Sequence, residues 1–356
     1  MANGDTFPHG KVAGIHAAPV YMDRERTLDK VDSLTGEAAR ADARLVAFPE
    51  AFLPGFPIWC LVQRPIDMHA HFAELYANSV ELRGPHMRRL AGIARRHAVW
   101  LSMGITERSE VSMGTLYNAN VIFSPEGKLV AHHRKLVATW AERLVWGHGD
   151  GAGLRVLDTG VGKLGMLICG ENTNPLARYA LMAQGEQVHI ATFPPAWPFV
   201  RGGNPQDYRR WIETRSGAHA FEAKAFCLTV AAYLDEDAIQ GAAAGDKDIE
   251  AILRAAPAAV SVALGPSAER LADSIQGEEG ILYMDVDVAK LSVPKMAHDV
   301  VGSYQRFDVF EFRLNRRRHV AETISGPLDE ALPDVGDDRD DAGTVPAPRS
   351  GGDATP

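Results

Sequence analysis

The chain has 356 residues, 46% hydrophobic and 23% charged, an ordinary globular balance with enough apolar material for a large core. Its formal net charge of −9 excludes the clustered positive surface that nucleic acid or an anionic membrane needs, and the one basic run, Arg316-Arg317-Arg318, is too short to supply it. Three cysteines, Cys60, Cys169 and Cys227, with no CxxC pair, argue against a disulfide framework and predict free thiols in a reducing, cytoplasmic setting.

Taken in chain order, apolar runs of strand type occur at Val12–Ala18, Arg44–Phe48, Val99–Ile105, Asn118–Phe123, Leu129–His133, Leu154–Leu157, Lys163–Cys169, Gln187–Phe193, Phe226–Tyr233, Ala259–Leu264, Ile281–Val286 and Val309–Leu314. Helices are expected between several of them. Glu25–Ala41 carries Leu28, Val31, Leu34 and Ala38 on one stripe, and Pro85–His97 carries Leu90, Ile93 and Ala94. Asn174-Pro175 opens a third, with Asn as N-cap and Pro at the first helical position, and Gly185 closes it. Asp235–Ala256 is a polar, Ala-rich insertion to which the pattern assigns no structure. Interleaved strands and helices predict a layered α/β architecture in one domain over residues 1–325. The stretch 326–356, rich in Asp, Pro and Gly, is expected to be a disordered acidic tail. No apolar run reaches the roughly 18–20 residues needed to span a bilayer, and Met1 to Gly10 lacks a signal-peptide core, so no membrane association is expected.

Three apolar runs end in a reactive residue: Leu45–Pro49 leads to Glu50, His132–Arg134 to Lys135, and Leu164–Ile168 to Cys169. Strand ends in α/β proteins border crevices, so the three could meet in one pocket. Their chemistry is complementary. A thiol has an ordinary pKa of about 8.5 and needs a base or cation to become a nucleophile at neutral pH. Glu50 could take the thiol proton, and Lys135 could hold the charge that develops on the attacked centre, with amides of the Cys169-Gly170 turn assisting. Each residue alone has a plainer meaning: a buried small hydrophobe, a turn carboxylate, a surface cation. Glu142 beside Arg143 could be a local ion pair, and Glu171 a charge at a helix N-terminus, not a base. Cys60 and Cys227 read as structural or pocket-lining, and His148 as a loop residue. Metal binding is not expected, because no HExxH or other ligand spacing occurs and His132-His133 would face opposite sides of a strand.

Several segments together resemble the nitrilase branch of the carbon–nitrogen hydrolases: "FPE" ending at Glu50, "HRKL" at His133–Leu136, "ERLVWGHGDG" at Glu142–Gly151, and "ICGEN" with "NPLARYALMAQGEQ" over Ile168–Gln187. Further matches are "GPSAERLA" at Gly265–Ala272, "GILYMDVD" at Gly280–Asp287 and "SYQRFDVF" at Ser303–Phe310, so that the resemblance runs from about Lys11 to Phe312. It implies an αββα sandwich that pairs with a second copy to αββααββα in a homo-oligomer, a dimer or larger, of a kind that can extend into spirals. It implies Glu50, Lys135 and Cys169 as a catalytic triad, and Glu142 as a second glutamate holding substrate and lysine. It also implies a small-molecule nitrile as substrate, hydrolysed to acid and ammonia through a thioimidate and a thioester, with no cofactor. An amidase or a cyanide-acting relative is the alternative, and a non-catalytic scaffold of the same fold a more distant one. Gly170, Trp59, Trp146 and Trp197 are the substrate-binding candidates. Gly170 and Ala138 stand where many relatives carry Trp and Pro, which puts the preferred nitrile, whether aliphatic, aromatic or arylacetonitrile, in question.

Overall fold

In the computed structural model, residues 7–198, 204 and 206–319 are described. The elements are β1 (His9–His16), α1 (Arg24–Arg40), β2 (Ala43–Ala47), α2 (His69–Asn78), α3 (Pro85–His97), β3 (Trp100–Arg108), β4 (Leu116–Phe123), β5 (Leu129–Arg134), β6 (Leu157–Thr159), β7 (Gly162–Ile168), α4 (Pro175–Met182), β8 (Val188–Phe193), α5 (Asp207–Ala223), β9 (Phe226–Ala231), α6 (Glu236–Ala243), α7 (Lys247–Arg254), β10 (Val262–Leu264), β11 (Gly280–Asp287) and α8 (Ser292–Ala297). The expected tail, 326–356, and the end of the expected domain lie outside the described residues.

Two sheets form, one in the order β11-β1-β2-β3-β4-β5 and one in the order β10-β9-β8-β7-β6. In each, three parallel strands form the centre, β1-β2-β3 and β7-β8-β9, and antiparallel strands flank them. Alternation along the strands sorts the apolar residues into layers. Val12, Leu45, Ala47 and Met284 of the first sheet and Leu164, Met166, Ile190, Leu228 and Val230 of the second belong to one cluster between the sheets. The approach is close: a Cβ at Gly14 would lie 3.1 Å from Val230 Cγ2 and 3.2 Å from Leu228 Cδ2. The opposite face of the first sheet, with Ile15, Val46, Phe48, Met103 and Val121, packs on Leu28 and Val31 of α1 and Leu90 and Ile93 of α3. Leu167 packs outward on Ala177, Ala180 and Leu181 of α4, while α5 lies on β9, where Ser216 and Thr229 hydroxyls hydrogen-bond at 2.8 Å. The result is an αββα sandwich, and each buried Leu, Ile or Val stabilises it by about 1.5–3 kcal/mol.

Helix signals are realised as capping chemistry. Asp23 caps α1 by accepting from Arg26 N, Pro85 is the first residue of α3, and Asn174 Oδ1 accepts from Leu176 N and Ala177 N to start α4. The Ala-rich insertion folds as the pair α6 and α7, capped by Asp235 and Asp246. Two strand expectations are corrected. The run at Leu154–Leu157 becomes a strand only from Leu157 to Thr159, because Leu154 turns inward against α4. Val309–Leu314 forms no strand: it pairs with no described strand, Phe310 is 74% exposed, and Phe312 lies edge-on to Tyr179 of α4 at 5.2 Å. Helix α5 gives little warning in the sequence, since Arg209, Arg210, Glu213 and Arg215 interrupt any apolar stripe.

Candidate active site

Glu50 sits three residues beyond β2, in a turn held alongside β3: Phe48 N donates to Ser102 O at 2.8 Å and Leu53 N to Gly104 O at 3.1 Å. Only glycine fits at 104, because a Cβ there would lie 2.0 Å from Pro49 O. Lys135 directly follows β5, and its N–H donates to Asn118 O of β4 at 2.8 Å. The Lys135 ammonium, 1% exposed, donates to Glu50 Oε1 at 2.6 Å and to Glu142 Oε2 at 2.7 Å. Asn118 Nδ2 donates to the same Glu50 oxygen at 2.7 Å.

Glu142 is not the local partner of Arg143, whose Nε donates instead to Ala138 O at 3.1 Å. It belongs to a capping box over Thr139–Glu142, in which its Oε2 accepts from Thr139 N at 2.8 Å while also accepting from Lys135. The Thr-x-x-Glu spacing is a sequence signal that would have fixed this residue's orientation.

Cys169 directly follows β7 and begins a 3-10 turn over Cys169–Thr173, with φ of 47°, a left-handed conformation costly for a residue with a Cβ. Glu171 explains how the turn is held. Its carboxylate accepts from Ile168 N at 2.8 Å and from Leu136 N at 2.6 Å, and it pairs with His133 Nε2 at 2.9 Å. It thus ties the residue before Cys169 to the residue after Lys135, across the two sheets. Glu171 is the helix-terminus charge expected, in the first turn of the 3-10 helix, and beyond that a buried clamp between the two sheets. Burial would raise its pKa, but His133 and the two amides outweigh that and hold it below the usual carboxylate range.

The electrostatics divide the roles. Burial, reinforced by the Glu142 charge and opposed by Lys135, pushes Glu50 up to about 7. Burial would lower the Lys135 pKa, but Glu142, Glu50 and Cys169 hold it well above its ordinary value. Burial and the charge of Glu50 push the Cys169 thiol well up, against Lys135. The resting site is therefore a protonated thiol, a fixed ammonium and a carboxylate poised near neutrality. Glu50 Oε2 and Glu142 Oε1 are buried with no partner among the described residues.

Trp59, Trp146 and Trp197 share an apolar cluster with Cys169. None of them lines the small cavity of about 10 Å³ beside Glu50, whose walls include Tyr21, Phe52, Phe56, Ile58 and Pro195. Trp59 stacks on His71 at 5.4 Å, Trp146 lies edge-on to Phe56 at 5.5 Å, and Trp197 stacks on Tyr208 at 6.2 Å. Tyr208, which the sequence did not single out, lies close enough for the charge of Cys169 to act on its phenol, and its buried hydroxyl has no partner among the described residues. Asn118 was also missed, though a buried Asn in an apolar strand is a signal in itself. At Gly170, an added Cβ would meet only Thr139 Oγ1, at 3.0 Å. Cys60 and Cys227 are buried free thiols, and His148 is an exposed loop residue.

Known proteins share this framework. The carbon–nitrogen hydrolase family model matches residues 11–293, and the chain belongs to that family. Within it the chain falls with the nitrilases: it is 36% identical over 312 residues to an aliphatic nitrilase of Rhodococcus rhodochrous, covering 86% of this chain and 83% of that protein. It is 34% identical over 317 residues to an arylacetonitrilase of Arthroderma benhamiae, covering 85% and 92%. Among solved structures, a mutant amidase from Nesterenkonia sp. AN1, showing covalent addition of the acetamide moiety of fluoroacetamide at its active site cysteine, shares the fold. Its TM-score is 0.59 at 19% identity, covering 80% of this chain and 92% of that one.

Proposed function

We propose that the protein hydrolyses an organic nitrile to the carboxylic acid and ammonia, with Cys169 as nucleophile, Glu50 as proton acceptor and donor, and Lys135 and Glu142 as the charged frame. The observation that carries this is the Lys135 ammonium held between Glu50 and Glu142, with one oxygen of each glutamate unpartnered, in a buried site whose charges act on the Cys169 thiol. Cys169 Sγ adds to the nitrile carbon as its proton passes to Glu50, which returns it to the nitrile nitrogen to give a thioimidate. Water, deprotonated by Glu50, adds to that carbon, and the nitrogen leaves as ammonia, giving a thioester. A second water, activated in the same way, releases the acid and restores the thiol. Lys135 stabilises the negative charge at each addition because it is fixed in place and buried. Expulsion of sulfur instead of ammonia from the first tetrahedral intermediate would release amide.

Gly170, Trp59, Trp146 and Trp197 are proposed to shape the substrate end of the site, with Tyr208 beside them. The relatives' names span aliphatic nitriles and arylacetonitriles, so both belong in the test. The protein is incubated with aliphatic, aryl and arylacetonitriles, with amides and cyanide in parallel, and ammonia and acid are measured. Acid and ammonia from at least one nitrile are expected. Turnover of amides or cyanide with none of any nitrile would overturn the reading.

A cytoplasmic homo-oligomer is proposed as the working form. Three free, buried cysteines support a reducing compartment, and no described helix is long and apolar enough to cross a membrane. Val293, Met296, Tyr304, Phe307 and Phe310 are large apolar side chains exposed in one stretch of chain, which supports burial against another copy.

A further inference from the structure

Asn172, in the turn that carries Cys169, opens a second buried network. Its Nδ2 donates to Cys169 O at 3.1 Å and Leu167 O at 3.3 Å, and its Oδ1 faces His189 Nε2 at 2.9 Å. The amide cannot be reversed without setting its oxygen against two carbonyl oxygens. His189 Nδ1 faces Glu186 Oε1 at 2.7 Å, and Glu186 Oε2 accepts from His219 Nε2 at 2.7 Å. Glu186, His189 and His219 have fully buried side chains. The strand beside them is shaped for the carboxylate: a Cβ at Gly165 would lie 1.9 Å from Glu186 Oε1.

Donor accounting fixes the protonation of the central ring. Both nitrogens of His189 face oxygens, one a carboxylate oxygen and one an amide oxygen that can only accept. A neutral imidazole donates once, so one of these contacts would set two acceptors together in a buried site, at a cost of about 1–3 kcal/mol. We propose that His189 is an imidazolium, paired with the Glu186 carboxylate, and that through Asn172 it fixes the carbonyl of Cys169 in its left-handed conformation. Glu186, His189 and Asn172 are then positioning residues for the nucleophile.

The groups around the ring agree. His219 of α5, stacked on His189 at 3.7 Å, is pushed down to about 4 by burial and by His189, so it stays neutral and donates only to Glu186. Its Nδ1 has no partner among the described residues. Arg178 of α4 adds to that depression, and Cys227, opposite His189 on β9, has its thiol pushed up by burial and by Glu186. Among the described residues, Glu186 is the carboxylate that hydrogen-bonds these rings, and it faces two of them, of which one carries charge.

The proposal rests on Cys169 as nucleophile, and its test separates the two claims. In the full-length wild type labelled with 15N-histidine, both ring nitrogens of His189 are expected to give protonated shifts at neutral pH. Glu186→Gln can donate its amide to Nδ1 and accept from His219, so it should return His189 to a single proton. Asn172→Asp sets an oxygen against Cys169 O and should lower kcat by roughly tenfold or more with KM little changed. An unprotonated nitrogen on wild-type His189, or wild-type kcat in folded Asn172→Asp, would overturn the proposal. Activity surviving in Cys169→Ala would instead reject the nucleophile and leave the spectrum to decide the proton.

Discussion

Two buried glutamates near the end of β5 do opposite things because the strand gives them different neighbours. Strand alternation sends His132 and Arg134 to one face, where both pair with Glu107, and His133 and Lys135 to the other, where they meet Glu171 and the Glu50–Glu142 pair. Burial would raise the Glu107 pKa, but His132 and Arg134 outweigh it and hold the carboxyl down at about 2. At Glu50 one lysine is shared between two carboxylates, so burial wins and the pKa rises to about 7. A buried carboxylate with every oxygen paired is a structural strut. One that shares its cation and keeps an oxygen unpartnered is a group that can exchange protons.

That contrast can be broken most severely at the reactive side. Cys169→Ala should lower nitrile turnover by about ten-thousandfold or more, and Lys135→Met by roughly a thousandfold, measured as ammonia release, with thermal melting little changed for the cysteine variant. The structural side should show the reverse. Glu107→Gln leaves His132 and Arg134 with a neutral partner, and should cost about 3 kcal/mol in urea unfolding while kcat of the folded enzyme stays within about twofold. A large loss of kcat there would erase the distinction.

Protons sharpen it further. In the proposed mechanism Glu50 must be ionised to accept the thiol proton, so kcat/KM should fall on the acid side with a midpoint near 7. The linkage signs are also opposite. Glu50, raised above its ordinary 4.5, favours the folded state at low pH, and that contribution is lost as pH rises through about 7. Glu107, depressed to about 2, contributes stability above its ordinary 4.5 that is lost as pH falls toward 2. Glu50→Gln should therefore gain stability over wild type between pH 5 and pH 8, by a few kcal/mol at most, and Glu107→Gln should flatten acid unfolding. The smallest effect is expected at Gly170→Ala, which must only displace the Thr139 hydroxyl: stability within about 1 kcal/mol, with altered ratios of kcat/KM between aliphatic and arylacetonitriles.

The strand centres, the helix starts at Pro85 and Asn174, and the strand-end positions of Glu50, Lys135 and Cys169 are legible in the sequence, because hydrophobic period and capping are local properties. What depends on long-range contact is not. Glu171 is the helix-end charge its position suggests, but its further partners, His133 and Leu136 N, come from the other sheet and leave no local signal. Glu186, His189 and His219 carry no recognisable spacing, since a strand end, a strand and a distant helix bring them together. Tyr208 lies on a helix whose charges hide its buried face. Val309–Leu314 failed for the complementary reason: its local pattern suits a strand, but it lies against α4 through Phe312 and pairs with no described strand.

The division between a reactive and a structural glutamate depends on Cys169 being the atom to which Glu50 and Lys135 are directed. The most direct measurement is rapid acid quench after mixing with a turned-over nitrile, followed by peptide mass mapping. An acyl or imidoyl mass on the Cys169 peptide is predicted in the wild type, much reduced in Lys135→Met and unaffected by Glu107→Gln. An adduct on Cys60 or Cys227, or full turnover in Cys169→Ala, would contradict the account.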